Sequence, residues 1–132
     1  MVGHLGLTPQ SVHALSGFKV QGRNTQAAKN MVEDAIALEA AGASMLVLEL
    51  VPSALAQQIS EALTIPTIGI GAGPECDGQV LVLHDLLGFD TSFKPKFLKQ
   101  YANIGKTVVE ALESYVTDVN EKSFPSGEHS FS

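Results

Sequence analysis

Glu49 is the first candidate for chemistry in the sequence. It ends the apolar run "MLVLE", at the point where the chain is expected to leave a buried strand. Active sites of parallel α/β proteins gather at the carboxyl ends of their strands. Leu48, Leu50 and Val51 flank this carboxylate, and partial removal from water makes a carboxylate a better proton acceptor near neutral pH. A glutamate that only pairs with a cation at the sheet rim is the alternative, and position alone leaves both interpretations open.

His4 is the second candidate, in the segment "GHLGLTPQ". It follows an apolar start and precedes a Gly-x-x-Pro turn, so its ring could hydrogen-bond a ligand oxygen at a strand end. A lone histidine in such a place is more often a satisfied structural group. Residue type and position do not decide between these two roles.

The segment "PTIGIGAGPECDGQVLV" places several glycines between two apolar runs. Gly69, Gly71 and Gly73 can adopt backbone angles that other residues avoid, and they let a ligand or a neighbouring strand approach closely. Their spacing matches neither the dinucleotide-binding fingerprint nor the Walker-type phosphate loop. Glycine loops of this kind also serve packing alone, so the segment does not indicate a site without further context.

Other polar residues give weaker signals. Cys76 and Asp77 lack partners at metal-ligand spacing, so a zinc site is not predicted. His84 and Asp85 could bind a ligand, and a solvated strand end is the simpler interpretation. No Ser-His-Asp or Gly-x-Ser-x-Gly arrangement indicates an acyl-transfer nucleophile.

Composition restricts the class of protein. The 132 residues suffice for one domain with a modest core, and the hydrophobic content of 45% with 17% charged residues is typical of a soluble globular protein. The net charge of −6 argues against a general nucleic-acid surface. The single cysteine excludes an internal disulfide framework and fits a reducing compartment. No apolar stretch reaches membrane-spanning length, and the first residues resemble neither a signal nor a transit peptide.

Helical and strand-like patterns alternate along the chain. A helix is predicted over Thr25–Ala41, with Asn24 or Thr25 as its N-cap and Gly42 in the left-handed conformation at its end. A second helix should begin at Pro52 and Ser53. A last helix is predicted near Gly105–Asn120, with an apolar stripe of Val108, Leu112, Tyr115, Val116 and Val119. Strands are predicted in "MVGHLGL", "SMLVLEL", "IPTIGIGAG" and "GQVLVLHDLLG".

This alternation predicts a parallel sheet built from about four βα units. The continuous apolar run of "SMLVLEL" is typical of a strand that is buried on both faces. A closed barrel of eight strands needs roughly 250 residues, so four units would make half of one.

Four segments together resemble the ketopantoate hydroxymethyltransferase family in order and spacing, and the tail "FPSGEHSF" is similar to the end of that family. The segments are "GHLGLTPQSVHALSGFKVQGR", "DAIALEAAGASMLVLELVP", "IPTIGIGAGPECDGQVLVLHDLLGF" and "PKFLKQYA". The resemblance covers essentially the whole chain. It implies an α/β fold of the (β/α)8 TIM-barrel family, with residues 1–121 as the last four βα units, a half barrel, and 122–132 as an irregular tail.

The resemblance also implies an activity. The family transfers a one-carbon unit from 5,10-methylenetetrahydrofolate to 3-methyl-2-oxobutanoate and so makes ketopantoate for pantothenate and coenzyme A biosynthesis. A divalent metal, usually Mg²⁺, chelates the keto acid and acidifies its C–H bond. By resemblance, Glu49 is the proton acceptor, His4 belongs to the active-site wall near the substrate, and Gly69 and Gly71 shape the substrate pocket.

The resemblance begins only halfway through the family's sequence. The family's acidic metal ligands, and the lysine and serine that hold the substrate, belong to its amino-terminal half. We therefore expect no metal ligand in this chain and a partner that is either the missing amino-terminal half or a homo-oligomer. The resemblance implies no nucleic-acid or membrane partner. It implies a cytoplasmic location, or a mitochondrial one in a eukaryote.

Two other interpretations stay open at this stage. The chain could be a non-catalytic, truncated half barrel that pairs with itself or with full-length subunits, because two halves would together close eight strands. It could also be a small open-sheet enzyme of the same superfamily with metal ligands acquired elsewhere. Size-exclusion chromatography, turnover measurements and substrate titration with and without Mg²⁺ would separate these cases.

Overall fold

The computed structural model describes residues 1–8, 19–90, 92 and 94–131. The chain divides into two compact units, residues 1–81 and 82–132. The Gly-x-x-Pro turn predicted after His4 ends at Pro9, outside the described residues.

The first unit is a parallel α/β structure, as the alternating pattern predicts. Its sheet has the strand order β1-β2-β3-β4, and the strands that are paired in it run parallel. Its elements are β1 (Val2–Gly6), α1 (Thr25–Ala40), β2 (Met45–Glu49), α2 (Ser53–Ala62), β3 (Thr67–Ile70) and β4 (Gly78–Gln79).

The ends of α1 follow the signals in the sequence. The side chain of Asn24 accepts a hydrogen bond from the amide of Ala27 at 2.8 Å, which confirms Asn24 as the N-cap. Gly42 has a φ of 93°, the left-handed conformation predicted just beyond the helix. Near this end, Oε1 of Glu39 accepts hydrogen bonds from the amide and hydroxyl of Thr64 and from the amide of Ile65. The hydroxyl and amide of Thr64 hold the pKa of Glu39 below its ordinary value.

The core of this unit lies on one face of the sheet. Leu46 and Leu48 of β2 are fully buried against Ala35 of α1 and against Leu55 and Ile59 of α2. The residues on the other face of these two strands are only partly buried; they are Met45, Val47 and Glu49 of β2 and Ile68 and Ile70 of β3. The prediction that β2 is buried on both faces is therefore confirmed only for the face on which α1 and α2 pack. In the described residues, the other face is partly exposed.

The fourth predicted strand is much shorter than its apolar run suggests. Pairing with β3 covers only Gly78 and Gln79, and the amide of Val80 donates to the carbonyl of Gly69 at 3.0 Å. Residues 80–82 are neither strand nor helix, and a helix follows them, α3 (Leu83–Leu87), which ends where Gly88 turns left-handed with a φ of 67°. A short apolar run does not distinguish a strand from a buried helix by its periodicity.

The second unit contains α3 and the long helix α4 (Ile104–Glu121), which confirms the last predicted helix. The side chain of Asn103 caps α4 by accepting a hydrogen bond from the amide of Lys106 at 3.3 Å. A single 3-10 turn, Gly127–His129, follows in the tail. The predicted apolar stripe of α4 is exposed at Val108, Leu112, Tyr115, Val116 and Val119. None of the described helices combines the length and apolar content that crossing a membrane requires.

Candidate functional site

Glu49 is the last residue of β2, at the carboxyl edge of the sheet, where the sequence places it. In the strand register it pairs with Gly6 on one side and with Ile70 on the other. Its carbonyl oxygen accepts a hydrogen bond from the amide of Leu7 at 2.8 Å. The next amide, that of Leu50, donates to the carbonyl of Ile70 at 2.9 Å. The backbone at Glu49 is therefore held from both neighbouring strands.

His4 lies beside Glu49 on the same face of the sheet. His4 pairs with Val47 in the register, and successive side chains of a strand alternate between faces, so Val47 and Glu49 share the face of His4. Nε2 of His4 is 3.1 Å from Oε2 of Glu49, and the two side chains are 35% and 18% exposed. The structure thus brings together Glu49 and His4, the first two candidates from the sequence.

The contact between these side chains is close but is not an aligned hydrogen bond. The 3.1 Å distance makes an ion pair when the imidazole is protonated. Nε2 is nevertheless buried and has no partner with hydrogen-bond geometry among the described residues. A hydrogen bond weakens steeply when donor and acceptor are misaligned, so the short distance alone does not make one. The ring nitrogen is therefore left without a hydrogen bond beside a largely buried carboxylate.

The two glycines predicted for the substrate pocket lie at different places. Gly71 comes directly after β3, at the same edge of the sheet as Glu49, and has a φ of 66°. Gly69 pairs with Leu48, which points into the core on the opposite face from Glu49. A Cβ at Gly69 would lie 3.0 Å from Sγ of Cys76. The role of both glycines in a substrate pocket stays a prediction.

The rest of the glycine-rich loop packs against α2. Gly73 has a φ of 82°, and a methyl group there would overlap the side chain of Ser53, the first residue of α2. The side-chain amide of Gln79 donates to the carbonyl of Gly73 at 2.9 Å. Close packing therefore explains why a glycine stands at position 73.

A hydrogen-bond network at the opposite edge of the sheet has no counterpart in the predictions from sequence. Oδ2 of Asp77 accepts from the amide of Thr67 at 2.8 Å and from its hydroxyl at 2.9 Å. The Thr67 hydroxyl also lies 2.7 Å from that of Ser60 in α2. The amide and hydroxyl of Thr67 hold the pKa of Asp77 below its ordinary value. Thr67 begins β3, so this network supports the strands at the edge away from Glu49.

Cys76 is a half-buried free thiol. Burial is the main cause that raises the pKa of this thiol above its ordinary value. A raised pKa disfavours the thiolate, which is the form that attacks electrophiles and binds metals. Cys76 packs against the core of this unit beside Gly69.

Metal ligation finds no support in residues 1–8, 19–90, 92 and 94–131. Within those ranges, no three histidine, cysteine, aspartate or glutamate side chains lie close enough together to hold a metal ion. His84 and Asp85 lie in α3, where the His84 ring is tilted by 56° against that of Phe89, with 5.1 Å between centroids.

Two residues that restrict the backbone of Glu49, Gly6 and Leu50, were not predicted from the sequence. Gly6 has a φ of 90°, and a methyl group there would overlap the carbonyl of Glu49 and lie 2.7 Å from Cγ2 of Val51. Leu50 has a φ of 50°, a left-handed conformation that is unusual for leucine. Gly6 could have been found as a glycine at a predicted strand end, whereas nothing in the identity of Leu50 signals its conformation.

Comparison with known proteins gives a consistent picture. A family model described as ketopantoate hydroxymethyltransferase matches residues 1–127. Proteins named 3-methyl-2-oxobutanoate hydroxymethyltransferase from Clostridium botulinum, Syntrophomonas wolfei and Legionella pneumophila are similar over 131 residues, with identities of 56%, 53% and 55%. The alignments cover 99% of this chain and 48%, 48% and 50% of those proteins. The chain spans about half the length of the curated relatives it matches.

Proposed function

The chain belongs to the ketopantoate hydroxymethyltransferase family, and we propose that it supplies the proton-accepting half of a 3-methyl-2-oxobutanoate hydroxymethyltransferase. The observation that carries this proposal is the pairing of Glu49 with His4 at the carboxyl edge of a parallel sheet, 3.1 Å apart. Residues 1–121 are proposed as the carboxy-terminal half of the barrel, and 122–132 as its tail. By the same family membership, we propose a cytoplasmic location.

Glu49 is the proposed general base. Its carboxylate takes the proton from the carbon next to the keto group of 3-methyl-2-oxobutanoate, and the C–H electron pair becomes the enolate. The enolate carbon then forms the new C–C bond to the methylene carbon of 5,10-methylenetetrahydrofolate, whose two C–N bonds break to release tetrahydrofolate. Water supplies the oxygen and one hydrogen of the new hydroxyl group, and the two freed nitrogens take up the other proton of that water and the proton held by Glu49. The low exposure of the Glu49 side chain, 18%, supports a base that is partly removed from water.

His4 is proposed to contact the substrate. Its Nε2 has no aligned hydrogen bond, so a donor is left for an oxygen of the bound keto acid when the ring is turned or protonated. Gly71, beyond the end of β3 at the same edge, is proposed to leave room for the ligand. Gly69 lies on the face of the sheet opposite Glu49. We therefore propose that it affects the substrate pocket only through the conformation of the segment between β3 and β4.

The Mg²⁺ that the family uses to acidify the keto acid is not placed in this chain. The described residues do not fit such an ion, because no three metal-ligating side chains among them converge. No step above is therefore assigned to a metal. We propose that the metal ligands come from the part of the relatives' length that this chain does not span.

The proposed partner is an amino-terminal half of the barrel. Helices α1 and α2 cover only one face of the sheet, and the face that carries Glu49 has partly exposed Met45 and Val47. Parallel sheets in proteins have both faces covered. A homo-oligomer in which two copies cover these faces is the second candidate, and it would be a non-catalytic half barrel.

Reconstitution tests the proposed function. The chain is mixed with the amino-terminal half of the Clostridium botulinum relative, and ketopantoate formation is measured with Mg²⁺ and 5,10-methylenetetrahydrofolate. We expect activity only in the mixture, and a fall of about 10²–10⁴-fold with Glu49→Gln. Glu33→Gln is the matched control, because Glu33 is exposed on α1 and pairs with Lys29 of the same helix at 4.0 Å.

Three outcomes would contradict the proposal. Turnover by the chain alone would show that no second half is needed. Full activity with Glu49→Gln would remove Glu49 as the base. A stable dimer of the chain in size-exclusion chromatography, with no activity gained on mixing, would favour the non-catalytic half barrel.

A further inference from the structure

The peptide group between Glu49 and Leu50 is clamped between two strands. Its carbonyl oxygen accepts from the amide of Leu7, at the end of β1, and its N–H donates to the carbonyl of Ile70, at the end of β3. The distances are 2.8 and 2.9 Å. The orientation of this peptide plane sets the direction in which the Glu49 side chain leaves the backbone.

Directly beyond this peptide, the chain turns sharply at Leu50. Leu50 adopts a φ of 50°, although its Cβ disfavours the left-handed region. Its carbonyl accepts from the amide of Gln21 at 2.9 Å, so the strained residue is held on both sides. Such conformations persist only where the surrounding structure enforces them, and they cluster at functional sites. The turn directs the next residue, Val51, into the core, where it is 2% exposed.

Gly6 completes the clamp from the side of β1. Its φ of 90° and its missing Cβ let β1 lie against the carbonyl of Glu49, and a methyl group there would overlap that oxygen. The same methyl group would press on Val51, so Gly6 and Leu50 restrict the same short stretch of backbone.

We infer that Gly6 and Leu50 are positioning residues that hold the carboxylate of Glu49 beside His4. They act through the backbone of Glu49 and do not touch the substrate. The inference deepens the proposed function and rests on it only for the role of Glu49 as base, because the position of the carboxylate can be measured without turnover.

The test measures how strongly Glu49 affects His4 in the purified chain. The readout is the change that Glu49→Gln causes in the NMR shifts of the His4 ring protons, and the parent chain should show a clear change. Leu50→Ile should abolish it, because a β-branched residue resists the left-handed conformation. Leu50→Gly should keep it, because glycine adopts that conformation freely. Leu48→Ile is the matched control, since Leu48 lies in extended β2, and it should also keep the effect.

Gly6→Ala gives a second test that does not depend on Leu50→Ile folding. It should abolish the effect of Glu49 on His4, whereas Gly3→Ala should keep it, because the two closest atoms to the added methyl group at Gly3 are the side-chain ends of Leu46 and Leu38, at 3.0 and 3.2 Å. Circular dichroism establishes that each variant is folded. The inference is overturned if Leu50→Ile or Gly6→Ala lowers the thermal midpoint but Glu49→Gln still changes the shifts of the His4 ring protons as it does in the parent chain.

The result separates this inference from the proposed function. An unchanged His4 ring after Glu49→Gln in the parent chain would also overturn the positioning inference, whatever the reconstituted activity. If Glu49→Gln changes the His4 ring-proton shifts as expected but the chain gains no activity when it is mixed with the amino-terminal half, only the proposed function is contradicted. In an active mixture, Leu50→Ile should lower kcat while KM for the keto acid stays near its parent value, because binding contacts are not removed.

Discussion

Asp77 and Thr67 are joined at two points by one carboxylate oxygen. Oδ2 of Asp77 accepts hydrogen bonds from both the amide and the hydroxyl of Thr67, at 2.8 and 2.9 Å. Thr67 is fully buried, and the contact ties the start of β3 to the residue that precedes β4. In parallel barrels, residues at this amino-terminal edge contribute to stability and those at the opposite edge to chemistry. Asp77 therefore supports the sheet that presents Glu49.

The first prediction concerns Asp77→Asn, which removes the charge. The pKa of Asp77 is lowered from 3.8 in the folded chain, so its carboxylate stabilises the fold above pH 3.8, and this contribution is lost as the pH falls through the lowered value. Asp77→Asn should lower the thermal midpoint at pH 7, and the difference from the parent should shrink below pH 4. Thermal melts followed by circular dichroism between pH 7 and pH 3 measure this.

Asp34→Asn is the control for this charge change, because Asp34 is exposed on α1. Its effect on the thermal midpoint should be small at every pH. A difference between Asp77→Asn and the parent that stays constant from pH 7 to pH 3 would show that the ionised carboxylate is not what stabilises the contact.

The second prediction concerns the core beneath β2. Ile59 of α2 is fully buried in the cluster with Leu46 and Leu48. Ile59→Ala should lower the free energy of unfolding by about 2–5 kcal/mol, because it removes buried methylene and methyl groups and leaves a cavity. Ile36→Ala, at a residue of α1 that is 47% exposed, should change it by about 0.5 kcal/mol or less.

Urea denaturation of the purified chain distinguishes the two variants. Equal losses for Ile59→Ala and Ile36→Ala would mean that this core does not form in solution as the structure has it.

The third prediction concerns the reactivity of Cys76. Burial raises the pKa of its thiol above 9.0, and alkylation by iodoacetamide requires the thiolate. The alkylation rate should therefore be slow at pH 7 and rise with a midpoint higher than that of the urea-unfolded chain. Urea-unfolded chain is the control, and there the rate should increase. A midpoint in the folded chain that is equal to or below that of the unfolded chain would contradict the burial of Cys76 beside Gly69.

Much of the local structure was predictable because its signals are local. Asn24 and Gly42 mark the two ends of α1 through side-chain capping and a left-handed glycine, and both depend on neighbouring backbone groups only. The placement of Glu49 at a carboxyl strand edge was likewise predictable, since a parallel βα unit always leaves its strand at that edge. The proximity of His4 to Glu49 required the register of β1 on β2, which is a contact between distant residues.

Other features depend on the whole fold and were wrong or absent in the sequence-based predictions. The apolar residues after Gln79 were expected to extend a strand, but only Gly78 and Gln79 pair with β3, and the run continues as α3. The partners of Asp77 were not found, because Thr67 lies ten residues away along the chain.

The order of residues was sufficient to identify the parallel βα architecture, the family and the acid at the strand end, because these depend on periodicity and on motifs that are read along the chain. The folded arrangement alone determined which face of β2 is covered, that His4 contacts Glu49, and that Leu50 turns left-handed. Leucine does not favour that conformation by itself. It is held there by hydrogen bonds from Gln21 and to Ile70, which come from segments distant in sequence.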